Sequence, residues 1–154
     1  MLIVCPSCLS KNRVAENRLD ERPVCGRCQS ELLAPASVAL SEETFDRYVS
    51  ATELPVVVDF WAPWCGPCQV MAPHLEQAAR ERPLLRFVKI DTDASPRLAS
   101  RFGIRGIPTL AVFLNGREVA RRSGAVTGQQ LLSWVDQALT AAGRPFPPGS
   151  QPGA

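Results

Sequence analysis

No stretch of this 154-residue chain is apolar for long enough to cross a bilayer. Met1-Leu2-Ile3-Val4 is apolar but far too short for the core of a secretory signal, so the cytoplasm is the expected compartment. Charge of one sign is also missing. Lys and Arg number 17 against 15 Asp and Glu, and a net charge of +2 supplies no field for nucleic acid, a membrane surface or acidic ligands. Histidine is nearly absent: the only one, His74, lies about 240° around an ideal helix from Cys68, so a Cys–His nucleophile pair is set aside in favour of a packing or surface role.

What is present is a 45% hydrophobic composition, enough for one ordinary domain plus a small module, and six cysteines arranged as three Cys-x-x-Cys pairs. The third pair organises the chain. Val56 to Phe60 reads as a buried strand, because three β-branched residues suit a pleated, buried surface and Pro55 marks its start. The chain then turns through Trp64-Cys65-Gly66-Pro67-Cys68 into a helix, where Pro67 fixes φ near the helical value and its missing N–H falls among donors that a helix leaves unpaired.

Cys65 therefore sits just ahead of the helix and Cys68 one turn inside it. The free N–H groups and the positive end of the helix dipole favour a thiolate over a thiol, which makes Cys65 the expected nucleophile. Cys68 is close enough along the backbone to attack the resulting mixed disulfide and release the product. Asp59 is a carboxylate inside an apolar strand, where desolvation should raise its pKa and let it serve as general base for Cys68; the alternative is a strand-end carboxylate facing solvent. A Cys-x-x-Cys can also be half a metal site, a structural disulfide or two inert core thiols. The strand-to-helix setting and the intervening Gly66-Pro67 favour dithiol redox chemistry.

The other two pairs, Cys5-Pro6-Ser7-Cys8 and Cys25-Gly26-Arg27-Cys28, are separated by 16 residues and fit a four-cysteine zinc site. Each pair can form a tight turn, with a hairpin in the spacer to bring the turns together. About thirty residues bury too little apolar surface to fold alone, so the metal would supply the folding free energy. Four thiolates leave no open position for water, which makes the expected Zn2+ structural. Two disulfides are the alternative. Residues 1–34 are thus expected to be a zinc module on which the core downstream does not depend.

Further along, Ser41 is a plausible helix N-cap ahead of Phe45, Tyr48 and Val49. Val70, Met71, Leu75, Ala78 and Ala79 give a helical stripe kinked at Pro73 and closed by Pro83. Leu84 to Asp91 reads as a parallel strand, on which Lys89 could face Asp59 or solvent. Ser95 to Phe102 reads as a short helix, and Thr109–Leu114 and Arg117–Arg122 as a hairpin about Asn115-Gly116. Pro108 cannot donate to a ladder, which leaves neighbouring backbone free for an extended substrate segment. Thr127-Gly128-Gln129-Gln130 is a capping box before the last helix, and the Pro/Gly-rich 143–154 is expected to be a disordered tail.

Asp59-Phe60-Trp61-Ala62-Pro63-Trp64-Cys65-Gly66-Pro67-Cys68 resembles the active-site segment of the thioredoxin family. Phe102-Gly103-Ile104-Arg105-Gly106-Ile107-Pro108-Thr109-Leu110 is similar to that family's cis-proline loop, and Pro73, Lys89 and Gly124 match its helix-kinking proline, the lysine beside its buried aspartate and a glycine of its substrate surface. Cys5-Pro6-Ser7-Cys8 followed by Asn12-Arg13-Val14 is similar to the zinc-bearing extension of the family's bacterial thioredoxin 2 branch. The resemblance implies an α/β thioredoxin fold over 37–142, a central mixed sheet flanked by helices, behind a zinc-ribbon-like module. It implies a protein-disulfide reductase using Cys65, Cys68, Asp59 and Lys89, and a client surface of Trp64, Gly66, Pro67, Ile107, Pro108 and Gly124. Disulfide-containing client proteins and thioredoxin reductase are the implied partners, with no bound organic cofactor, nucleic acid or membrane, and a monomer is expected. Pro63, Gln69 and His74 depart from the commonest family pattern. The rival reading is a zinc-dependent client-binding adaptor with a dispensable dithiol, which would keep its activity when both Cys65 and Cys68 are replaced.

Overall fold

The computed structural model describes residues 1–145; most of the proline- and glycine-rich tail expected at 143–154 lies outside the described residues. Five strands form the main sheet: β3 (Val38–Leu40), β4 (Val56–Trp61), β5 (Arg86–Asp91), β6 (Thr109–Leu114) and β7 (Arg117–Ser123), in the order β3-β5-β4-β6-β7. The first three are mutually parallel, and β6 and β7 are antiparallel, giving the mixed sheet. Helices α1 (Phe45–Ala51), α2 (Gly66–Glu81), α3 (Pro96–Arg101) and α4 (Gly128–Ala141) cover its two faces.

Alternation along β4 assigns those faces. Val57 packs with Met71 and Leu75 of α2 and Leu131, Val135 and Leu139 of α4. Val56, Val58 and Phe60 point the other way, into a cluster with Phe45, Tyr48 and Val49 of α1 and Leu98 of α3. Asp59 follows Val57 by two and therefore shares the α2 side.

Local chemistry sets the ends of the elements. Asn115 and Gly116 adopt φ 51° and 79°, the left-handed pair that a two-residue hairpin needs. The capping box closes as read, with Gln130 N donating to Thr127 Oγ1 at 3.3 Å and Thr127 N to Gln130 Oε1 at 3.0 Å. At the far end of α4, Gly143 (φ 78°) and Arg144 donate backbone N–H groups to Thr140 and Leu139 carbonyls, at 3.0 and 2.8 Å, in a Schellman closure.

Three local expectations need correcting. Helix α1 starts at Phe45, with Thr44 as its N-cap; Ser41 instead opens the preceding turn, its carbonyl accepting from Thr44 and Phe45. Val70 leaves the apolar stripe of α2 and stands exposed, because Met71, Leu75 and Ala78 already fill the inward face. The spacer between the N-terminal cysteine pairs holds a 3-10 helix, Glu16–Glu21, rather than a hairpin. The hairpins form around the pairs themselves: β1 (Leu2–Val4) and β2 (Lys11–Arg13) flank the first pair, and the Val24–Glu31 bridge flanks the second.

The N-terminal segment is also less separate than its composition implies. Ile3, Leu19, Leu32 and Leu33 share one apolar cluster with Leu54 and Leu84, while Val4 joins the α1-side core. Glu53 N donates to Leu2 O at 2.9 Å, and Leu2 N donates to Glu53 Oε1 at 2.6 Å. Arg86, only 1% exposed, donates to the carbonyls of Ala34 and Pro83 and to the Tyr48 hydroxyl at 3.1–3.3 Å, fastening the junction to the sheet. These contacts all lie where β4 and β5 begin. The segment Trp64–Cys68 lies where β4 ends.

Candidate redox site and metal centre

Cys65 and Cys68 are joined by a disulfide, with Cα atoms 5.2 Å apart. Cys65 is the extended N-cap of α2, and its Sγ accepts from Cys68 N at 3.2 Å. The 16-residue helix thus aims the Cys68 N–H of its first turn, and the positive end of its dipole, at that sulfur. Both sulfurs pack with Ala62, Trp61 and Ile107, and the flanking Gly66 and Pro67 are exposed.

Facing them, the Ile107–Pro108 peptide bond is cis, and the Ile107 carbonyl oxygen lies 3.7 Å from Cys65 Sγ. Pro108 O accepts from Gly124 N at 2.9 Å; Gly124, at φ 98°, occupies a conformation closed to most side chains. Trp64 is 70% exposed and donates Nε1–H to Asp93 at 2.9 Å. The structure therefore brings Trp64, Gly66, Pro67, Ile107, Pro108 and Gly124 around or beside the disulfide.

Asp59 is 1% exposed, so it does not face solvent, and its Oδ1 has no hydrogen-bond partner. Burial pushes its carboxyl up to about 7; Lys89 opposes the rise, and Glu76 on α2 adds to it. Lys89 pairs with Asp59 in the β4–β5 register, on the same sheet face. Sequence reasoning missed three supporting groups: Trp61, which lies under Lys89, Asp93, and Glu76. The first two were open to no positional signal, because each acts through a loop or a cross-strand contact. His74 packs against Gly128 at the start of α4. Gln69 donates to Pro63 O at 2.7 Å, bracing the turn.

At the other end of the sheet, the sulfurs of Cys5, Cys8, Cys25 and Cys28 all lie within 4.8 Å of one another. Cys5–Cys28 and Cys8–Cys25 approach to 3.5 and 3.6 Å, close to the edge of about 3.8 Å that a tetrahedron with metal–sulfur bonds of about 2.3 Å requires. The two pairs are built alike. Cys5 and Cys25 each donate N–H to a serine carbonyl, Ser10 and Ser30, at 2.8 Å, and Leu9 and Gln29 each take a left-handed φ, 63° and 69°. Ser7 N and Cys8 N point at Cys5 Sγ, and Arg27 N at Cys25 Sγ, donors that suit thiolate ligands. Asn12 adds a donor to Cys25 Sγ and accepts from Gly26 N, linking the two halves. The four cysteines form a metal site.

The family model for thioredoxin matches residues 36–137, and a second, described as the N-terminal part of thioredoxin 2, matches residues 4–30. Thioredoxin C-3 of Corynebacterium nephridii is 48% identical over 139 residues, covering 90% of this chain and 96% of that protein. A chloroplastic M-type thioredoxin of Chlamydomonas reinhardtii is 38% identical over 130 residues, covering 82% and 93%. Among solved structures, thioredoxin F from spinach chloroplast superposes with a TM-score of 0.64 at 32% identity, over 69% of this chain and 88% of that one. Among the described residues no helix is long and apolar enough to cross a membrane.

Proposed function

Because the chain belongs to the thioredoxin family, and is a thiol-disulfide oxidoreductase that reduces protein disulfides, we propose that Cys65 attacks the client and Cys68 resolves. The single observation that carries this division is the placement of the Cys65–Cys68 disulfide at the start of α2, with the Cys65 sulfur accepting from the Cys68 N–H of the first turn. The Cys65 thiolate forms a bond to one client sulfur and expels the other as a thiolate. The Cys68 thiolate then bonds to Cys65 and releases the second client sulfur. Two electrons pass to the client, and the Cys65–Cys68 disulfide remains.

Asp59 is the proton acceptor for Cys68 in this scheme, since a buried carboxyl poised near neutrality can take a proton and lose it again. Lys89 tunes that carboxyl from the neighbouring strand. Trp64, Gly66, Pro67, Ile107, Pro108 and Gly124 form the client surface, where an extended segment pairs with the backbone beside Pro108. The family is recycled by thioredoxin reductase, and we assign the same partner here, an NADPH-dependent one acting on a monomer in the cytoplasm.

Residues 1–34 form the metal module and 37–142 the redox domain. The metal is Zn2+, held by Cys5, Cys8, Cys25 and Cys28; it supplies cross-linking and folding free energy and takes no part in the electron transfer. An insulin-reduction assay tests the whole reading. Replacing both Cys65 and Cys68 with Ser should abolish turbidity, and unchanged activity would favour an adaptor instead.

A further inference from the structure

We propose that the groove between β7 and α4 is a client subsite for a carboxylate side chain, anchored by Arg122. The proposal rests on the disulfide-reductase reading and adds a substrate preference to it, with no new chemical step.

The groove measures about 590 Å³ and is lined by Arg122, Thr127, Gln130, Ser133, Trp134 and Gln137 among others. Arg122 pairs with Leu110 in the β6–β7 register, which turns it, like Ala120, toward the α4 side of the sheet. Its guanidinium carbon lies 6.0 Å from the centre of the Trp134 ring, and its Nε is buried without a hydrogen-bond partner. Among the described residues Arg122 has no ion pair, whereas the adjacent Arg121 is engaged twice by Glu118, at 2.6 and 2.8 Å.

Among the described residues no acidic side chain lines the groove. Asp136, in the groove next to it, is held by two hydrogen bonds from Arg82 at 2.9 and 3.1 Å. A cation without an ion pair among the described residues, set beside hydroxyl and carboxamide groups on one face of a helix, is complementary to a carboxylate that meets the outer edge of the guanidinium. The Ser133 and Gln137 side chains, one turn apart, offer further donors to its second oxygen.

Position links this pocket to the dithiol. Arg122 precedes Gly124 by two residues, roughly 7 Å along an extended strand, and Gly124 N holds the Pro108 carbonyl beside the disulfide. A client segment running along Pro108 passes Gly124 and reaches the mouth of the groove with a side chain two or three residues from its reacting cysteine. The competing account is that Arg122 is an inward charge on an edge strand, present only to block sheet addition.

The test compares two disulfide peptides that differ only in having Glu or Gln two and three residues on either side of the cysteine. The wild type should reduce the Glu peptide with a kcat/KM about three- to tenfold higher at low ionic strength, and 1 M salt should erase most of that ratio. Arg122→Gln should bring the ratio close to one, while Arg121→Gln should keep it. A wild-type ratio of one overturns the proposal, as does a ratio that survives in Arg122→Gln or collapses equally in Arg121→Gln. Failure of the wild type to reduce either peptide would strike at the reductase reading instead.

Discussion

Lys89 and Asp59 occupy paired positions on adjacent parallel strands, yet the Lys89 ammonium lies 4.3 Å over the Trp61 ring and forms no ion pair with the carboxylate. The lysine is held by the face of an aromatic ring, so its charge offsets only part of the cost of burying Asp59.

That arrangement makes stability depend on pH with a definite sign. The folded carboxyl titrates at about 7 against an ordinary value of 3.8, so the folded state holds the proton more tightly and stability falls as pH rises from about 4 through 7. Asp59→Asn removes this slope and should stabilise the protein above pH 8 by up to about 4 kcal/mol. It should also slow resolution by Cys68 and flatten its rise with pH through neutrality. Urea midpoints and single-turnover rates for both proteins at pH 5 and 8 check the two effects; parallel curves at both pH values would remove Asp59 from the scheme.

The order of attack is open to trapping. Cys68→Ser should accumulate covalent client adducts on Cys65, seen as reductant-sensitive bands on gels, because nothing remains to resolve them. Cys65→Ser should trap little. The reverse pattern would invert the assigned roles.

Removing the metal should be felt beyond residue 34. The N-terminal segment by composition looks detachable, but Ile3, Leu19, Leu32 and Leu33 pack against Leu54 and Leu84, so its loosening strips cover from the redox domain. Chelation under reducing conditions should leave that domain folded and able to reduce disulfides, with its thermal midpoint lowered by roughly 5 °C or more. Calorimetry with and without chelator provides the measurement, and an unchanged midpoint would mean the shared cluster contributes nothing. Metal analysis of the same sample should give one zinc per chain.

Arg86 is a buried cation with no carboxylate partner among the described residues, satisfied by two carbonyl groups and one phenol. Arg86→Met keeps most of the volume but leaves those acceptors without their donor, and should cost about 2–4 kcal/mol. Tyr48→Phe removes a single weak bond at 3.3 Å and should cost about 1 kcal/mol or less. Chemical denaturation of both variants distinguishes a distributed clamp from a passive one, for which the two losses would be equal and small.

Elements with strong local punctuation were readable from the residues alone. The Asn115-Gly116 hairpin, the Thr127 box and the cysteine pairs each carry their own geometry within a few positions. β3 was not readable, because three residues are too few to show a period and its partner, β5, is distant in sequence. Val70 misleads because the helical pattern gives a side chain's direction, whereas burial depends on which segment packs there, and the buried place of Arg86 depends in the same way on the Ala34 and Pro83 carbonyls above it. For Lys89 alternation left either side open, and only the pairing with Asp59 and the Trp61 ring fixes its place. Fusion of the N-terminal segment to the main core likewise depends on contacts between residues 2–4 and 52–54 that no local motif encodes.

The metal centre and the dithiol sit at opposite ends of strands six residues long, about 20 Å of sheet. A docked client therefore leaves the cysteine-rich end uncovered. That end is a natural handle: a dye, a solid support or a second protein attached through the loop Gly26-Arg27 would ride on the enzyme without standing in the path of its substrates.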